Sequence, residues 1–211
     1  MRSAFALLAL LAVVARADTP APIRRVDLVP LGAELPAGDV DAVRAALVGI
    51  YGVEVRVRPG APLPRAAYYA PRRRWRAEKL LEWLEALPAD GADRLLGLTG
   101  VDISTTKDAV PDWGVLGLGS LDGRVGVLSR FRCDKGGGHP RRARTRLAKV
   151  AVHELGHTLG LDHCPQQGCL MEDAAGKVAT TDGEVDLCPR CRALLAGRGQ
   201  TLPSPPRAPW R

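Results

Sequence analysis

His153-Glu154-Leu155-Gly156-His157-Thr158-Leu159-Gly160-Leu161-Asp162-His163 sets two histidines four positions apart, which on a helix lie one above the other on a single face. Their imidazoles can then share one tetrahedral ion. Glu154 stands one position after the first histidine, beside such an ion but not needed as a ligand, and a carboxylate there can take the proton from a zinc-activated water. A catalytic zinc takes three protein ligands and keeps a fourth position open. The helix must therefore stop and turn back. Gly160 suits the left-handed backbone of a helix C-terminal cap, and His163 then completes the three. Leu147, Ala151, Leu155 and Leu159 form a separate apolar stripe that would pack this helix on a sheet. The short HExxH core is common by chance. The addition of Gly160 and His163 at these offsets makes a cluster of surface histidines a poor alternative.

Working outward, Arg141 to Leu161 is expected as one helix, and the residues before it alternate between short elements. Ile23 to Val29 reads as a strand. Gly38 to Ile50 carries Val40, Val43, Ala46, Leu47 and Ile50 at helical spacing. Val53, Val55 and Val57 alternate with Glu54, Arg56 and Arg58, a half-buried strand. Ala61 to Pro71 reads as a proline-rich loop, and Trp75 to Leu87 as a second amphipathic helix with Leu80, Leu81, Trp83, Leu84 and Leu87 inward. Arg94 to Ile103 reads as a strand. Trp113 to Leu128 holds two short strands around the turn signal Asp122-Gly123, and Gly136-Gly137-Gly138 a flexible loop. Cys164 to Cys191 is irregular and cysteine-rich, with a last helical turn or two to Ala196. Gln200 to Arg211 has four prolines and no periodicity, so a disordered tail is expected over 200–211. The pattern is that of a single α/β (α+β) domain over 18–199 with a mixed sheet.

The chain has 211 residues, 25% charged and 46% hydrophobic, ordinary composition for one domain with a sizeable core. Aromatic residues make up only 4%, so Leu, Val and Ala must fill that core. Arg2, the apolar run Ala4 to Val14 and the small residues of Ala15-Arg16-Ala17 read as an export signal over 1–17. Cleavage is expected before Asp18, giving a secreted or periplasmic protein. The run is too short for a permanent bilayer anchor, which needs about 20 residues, so no membrane association is expected after cleavage. With a strand starting near Ile23, no long propeptide is expected either. Arginines cluster at 72–76 and 141–146, and the formal net charge is +7. Apart from Trp75, no stacking aromatics are interleaved with these runs, so a solvated face is expected and not a nucleic-acid partner.

Downstream of His163 the chain reads Cys164, four residues, Cys169-Leu170-Met171, and then Cys188-Pro189-Arg190-Cys191. With the extended histidine motif this closely resembles the archaemetzincins, a branch of the metzincin peptidases with a second, cysteine-rich zinc site. The spacing between Met171 and Cys188 is one residue shorter than in the family pattern. The resemblance is diagnostic over His153 to Cys191. It implies a compact metzincin domain with a mixed twisted sheet, and Met171 as a Met-turn residue forming an apolar base under the three histidines. It implies a structural zinc on Cys164, Cys169, Cys188 and Cys191, hence two zinc ions per chain. It also suggests an edge strand, near Val115 to Leu118 or Val125 to Leu128, aligning an extended peptide.

Two pairs of cysteines can supply four thiolates to one ion, whereas in an exported protein two disulfides are the default. Zinc is the preferred reading and metal analysis would decide. Cys133 lies outside the pattern, as a buried or free thiol or the partner of a disulfide between chains; a thiol that plugs the catalytic zinc is a lesser possibility. His139 is expected on a surface loop, with a place in the substrate cleft as the alternative. Thr158 and Asp162 are expected as helix and turn residues, Asp162 with a loose claim to orient a histidine. The function these parts imply is peptide-bond hydrolysis on peptide or protein substrates, with Glu154 as general base, by a monomer. The alternatives are a silent zinc protein using the same cleft as a peptide-binding module, and a small disulfide-rich exported protein whose histidine cluster is accidental.

Overall fold

In β1 (Arg25–Leu31), Val26 and Leu28 belong to one buried cluster while Val29 and Leu31 belong to another. Strand periodicity of two sends alternate side chains to opposite faces, so this strand is buried on both. The computed structural model, which describes residues 21–36, 38–136 and 139–210, places β1 inside a five-stranded sheet of order β2-β1-β5-β9-β8. β2 is Glu54–Val57, β5 Arg94–Thr99, β8 Gly117–Gly119 and β9 Val125–Ser129. β2, β1, β5 and β9 run parallel, and β8 returns antiparallel along β9 as the free edge. A parallel sheet needs cover on both faces. Helices α1 (Asp39–Tyr51) and α3 (Pro140–Thr158) supply one face and α2 (Ala77–Glu85) the other.

A smaller four-stranded sheet, β3 (Tyr68–Tyr69), β4 (Arg74–Arg76), β6 (Ile103–Lys107) and β7 (Val110–Val115), stands beside the first. It accounts for three differences from the sequence reading. The expected strand Arg94 to Ile103 is two strands in different sheets. They are split where the Thr99 hydroxyl donates to the Leu31 carbonyl oxygen at 2.9 Å and accepts from the Val101 N–H at 3.4 Å, turning the chain. Trp75 and Arg76 belong to β4 and not to the following helix. Arg74 is tied to Asp102 at 2.9 Å and to Asp112 at 2.8 Å, so tertiary pairing overrides helical spacing. The two strands expected around Asp122-Gly123 are β8 and β9, but the span from Trp113 also takes in the end of β7, which Trp113 to Val115 close. On the edge strand β2 the alternation fades outward: Val53 is buried but Val57 is 41% exposed.

The C-terminal part holds α4 (Thr180–Gly183) and α5 (Pro189–Gly197). Residues 200–210, expected above to be a disordered tail, are laid along the domain. Gln200 is buried, its amide oxygen accepting from the Ile23 N–H at 2.9 Å. The Arg207 N–H donates to the Gly49 carbonyl at 3.0 Å, and the Trp210 indole donates to the Val185 carbonyl at 3.0 Å. A segment without helical or strand periodicity is here held by a backbone bond at Arg207 and side-chain bonds at Gln200 and Trp210. The arginine runs are mostly committed to carboxylates, Arg74 as above and Arg146 to Asp182 at 2.7 Å. Among the described residues no helix is long and apolar enough to cross a membrane. The expected export signal, 1–17, and two of the three glycines at 136–138 lie outside the described residues.

Candidate active site

α3 begins with Pro140 at its first position and His139 as N-cap, whose Nδ1 accepts from the Arg141 N–H at 3.3 Å. The apolar stripe Leu147, Ala151 and Leu155 is fully buried and Leu159 nearly so. At the other end the Leu161 N–H donates to the Gly156 carbonyl at 3.0 Å and the Gly160 N–H to that of His157 at 2.9 Å, with Gly160 at φ 79°. These two bonds are the Schellman pattern of helix termination. The helix ends three residues earlier than the expected Leu161, and that early stop is what swings His163 back over the helix face.

His153, His157 and His163 are brought together. Nε2 of His153 and Nε2 of His157 are 3.0 Å apart, and the three residues can each offer a ligand atom within 4.8 Å of the others. Tetrahedral zinc with Zn–N of about 2.05 Å sets its ligands about 3.3 Å apart, so the spacing suits one ion. The outward nitrogens are spoken for. Nδ1 of His153 donates to the Leu170 carbonyl at 2.8 Å and Nδ1 of His157 to the Leu161 carbonyl at 2.7 Å. That leaves both Nε2 lone pairs aimed at the shared point, which two neutral acceptors tolerate only with a cation between them. Burial, and then the neighbouring His157, push His153 down to about 3, so it stays neutral and able to ligate. Asp162 lines the cleft but makes none of these bonds. The carboxylate beside His163 is that of Asp173, 3.9 Å from Nδ1. The sequence reading missed Asp173, which lies ten positions downstream on another turn and carries no local signal.

Glu154 is 5% exposed, and its carboxylate accepts a backbone hydrogen bond from Gly119 on β8. Burial pushes its carboxyl up to about 8, against the pull of that N–H. Gly117 and Gly119 were missed as site residues. A Cβ on Gly117 would collide with the Glu154 carboxylate, and one on Gly119 with the Glu154 carbonyl and the His157 side chain. Alternate glycines in a strand are a mark of close backbone approach, and that signal was present in Gly117-Leu118-Gly119. Because Leu116 and Ser120 pair with β9 through the Ser129 N–H and the Val125 carbonyl, the backbone groups of Gly117 and Gly119 turn the other way, into the cleft. β9 is interior, so of the two expected peptide-aligning strands only the one around Val115 to Leu118 is an edge.

The cleft encloses about 430 Å³ between β7 and β8 on one side and residues 172–178 on the other, with the histidines on its floor. Met171 is fully buried against the helix, its sulfur occupying the space a side chain at Gly156 would need. The Leu170 carbonyl that holds His153 precedes it directly. Thr158 donates within its helix to Leu155, and His139 lies outside the cleft lining. Cys133 is fully buried, its thiol 3.6 Å from the Ser129 carbonyl and pushed up to about 12 by burial. It does not line the cleft, so a thiol plug on the histidine site has no geometric basis.

Cys164, Cys169, Cys188 and Cys191 also converge. The Cys164 and Cys188 sulfurs are 3.6 Å apart and those of Cys169 and Cys191 3.7 Å apart, and all four lie within 4.8 Å of one another. Bonded sulfurs sit near 2.05 Å, whereas four thiolates about 2.3 Å from one zinc lie about 3.8 Å apart. Backbone N–H groups of Met171 and Cys188 point at the Cys169 sulfur at 3.5 and 3.4 Å; burial raises its thiol to about 11 against the pull of these two donors. Burial works to raise the Cys188 thiol, but the Cys191 N–H and the neighbouring sulfurs bring it down to about 7.

The profile of peptidase family M54 matches residues 37–196. The archaemetzincin of Halobacterium salinarum is 33% identical over 178 residues, covering 81% of this chain and 99% of that protein. That of Methanopyrus kandleri is 34% identical over 149 residues, covering 70% and 81%. Its crystal structure superposes with a TM-score of 0.73 at 29% identity, covering 89% of this chain and all of the other. The crystal structure of the Archaeoglobus fulgidus archaemetzincin, solved with malonate, gives 0.68 at 30% identity over 81% and 99%. With the fold, the convergent histidines and these relatives in agreement, the chain belongs to peptidase family M54, the archaemetzincins, and is a zinc metallopeptidase.

Proposed function

We propose that the chain is exported and hydrolyses peptide bonds in a cleft whose zinc is held by His153, His157 and His163, with Glu154 as general base. The observation that carries this is the pair of Nε2 atoms 3.0 Å apart, each fixed by a backbone carbonyl behind it. Bound there, zinc supplies Lewis acidity, making water acidic near neutral pH and polarising the scissile carbonyl. Glu154 takes the proton of the attacking water and returns it to the leaving amine. Its buried carboxyl, high for a glutamate, is matched to that two-way role near neutral pH. The Gly119 N–H orients it, and the outward backbone of Gly117 pairs with an extended substrate antiparallel to β8. Met171 underlies the histidines as the Met-turn residue.

The four cysteines hold a second, structural zinc, a reading supported by sulfur spacings that suit thiolate ligation and not disulfides. The leader over 1–17 is removed before Asp18, and the mature protein is a secreted or periplasmic monomer. Two measurements on purified protein test the assignment. Glu154→Ala should retain both zinc ions by metal analysis yet lose at least 1,000-fold in kcat/KM, in keeping with loss of a general base. His157→Ala should lose one zinc and all activity. Chelator-insensitive cleavage, or a Glu154→Ala protein as active as the parent, would defeat the reading. N-terminal sequencing of the exported product checks the cleavage site.

A further inference from the structure

One acid in the cleft has no role in the mechanism. Glu184, just after α4, lines the same cleft as the histidines but on the side of Val150, one helical turn before His153. It is only 3% exposed. Its carboxylate has no hydrogen-bond donor and no cation within ion-pair distance among the described residues. Lys149 acts on it only at longer range, since its ammonium donates to the backbone carbonyls of Thr181 and Glu184 at 2.7 and 2.6 Å. The cleft's Arg132 is committed to Asp102 at 2.7 Å. Buried carboxylates without partners are costly and uncommon, and the open approach to this one is from the cleft.

We propose that Glu184 is a specificity-determining residue that selects a lysine or arginine side chain at the substrate position following the scissile bond. The inference rests on the peptidase reading above. A peptide antiparallel to β8 runs from Gly119 toward Gly117 and on toward Val115, so its C-terminal half passes the Val150 side of the cleft. Val150 and Thr181 line the cleft along with Glu184 and can take the methylene stem, while the cationic head meets the carboxylate. Burial, the pull of Lys149 and repulsion from Glu172 and Asp182 leave the carboxyl at about 8. An arriving ammonium or guanidinium stabilises the charged form and provides the missing partner. A neutral side chain of the same length leaves it without one, and sites built around a buried polar group reject ligands that cannot satisfy it.

The test uses the zinc-loaded full chain and a peptide pair differing only in lysine against norleucine after the scissile bond, together with a mixed peptide library read by mass spectrometry. We expect kcat/KM for lysine to exceed that for norleucine by tenfold or more. Glu184→Gln, close to the parent in shape, should bring that ratio near one while norleucine cleavage holds. Glu184→Lys should shift the library preference to acidic residues at that position. A ratio near one in the parent, or one unchanged by Glu184→Gln, overturns the proposal and leaves the peptidase reading standing. A parent without chelator-sensitive cleavage of any peptide overturns both. A Glu184→Gln protein that loses both substrates in equal proportion assigns the residue to the fold and overturns the proposal as well.

Discussion

Gly117 and Glu154 meet across 37 positions of chain, and their contact is tighter than any side chain at 117 would allow. The carboxylate is thereby held between a strand backbone and the zinc site. Gly117→Ala should leave the fold and both zinc ions in place but push Glu154 out of line. A misplacement of about 1 Å at a catalytic group can cost about 100-fold, so a loss of that order in kcat with unchanged metal content is expected. Asp173 stands beside the third of the converging histidines. His163 is half exposed, and among the described residues its ring has no backbone carbonyl like those that fix the other two; Asp173 lies 3.9 Å from its Nδ1. The Ala175 N–H, and then His163 and Lys107, hold the Asp173 carboxyl below its ordinary value, so it is charged at neutral pH. Asp173→Asn should weaken zinc binding about tenfold, at the low end for second partners of metal ligands because the pair is exposed. A competition titration with a chromogenic chelator measures it.

At the scale of the element, α3 carries two of the converging histidines and Glu154, the proposed base, and its middle is tied to α4 by charge. Arg146 is 2% exposed and donates to Asp182 at 2.7 Å and to the Cys133 and Lys135 carbonyls at 3.0 and 2.8 Å. Hydrogen bonds from Arg146 and then Arg142 hold the Asp182 carboxyl well below its usual 3.8. Because the folded value is the lower one, this pair's contribution is fully present above the unfolded value and is lost as pH falls through the folded one. Asp182→Asn should cost about 2 kcal/mol at neutral pH, since Arg146 loses its counter-charge but keeps its carbonyls. It should also flatten the acid limb of stability below about pH 4, as denaturant melts across pH would reveal. This helix was legible in the sequence because everything that defines it is local: ligands four apart, a buried stripe, and a glycine stop whose φ is 79°. The strands opposite were only partly legible. Trp75 reads as helix by spacing and sits in β4 because Arg74 is anchored to Asp102 and Asp112. Likewise Gly117, Gly119 and Asp173 gain their places in the site from pairings made over long sequence separations, which no local pattern encodes.

For the whole molecule, the chain after the histidine helix is closed by cysteine. Cys164 follows the third histidine, and Cys169 precedes Met171 by two residues. Cys188 and Cys191 open the C-terminal helix α5, from which residues 200–210 return to Ile23 and Gly49. The Cys164 N–H donates to the Met171 carbonyl at 2.7 Å, and the Met171 N–H points at the Cys169 sulfur. The cysteine cluster therefore grips both the turn that delivers His163 and the segment under His153, so metal there should shape the catalytic site as well as the fold. A structural zinc contributes its binding energy to folding outright, whereas a zinc on the histidines would lie in a cleft between elements already packed through two buried clusters. Cys188→Ser should thus lower the melting temperature by about 10 °C or more, several kcal/mol in a domain of this size, and by more than His157→Ala does. It should also weaken retention of the remaining zinc, because the His163 turn is loosened. Calorimetry paired with metal analysis of the two variants decides the order. Two disulfides in place of this zinc would predict one metal ion in the parent chain and a reductant-sensitive melting temperature.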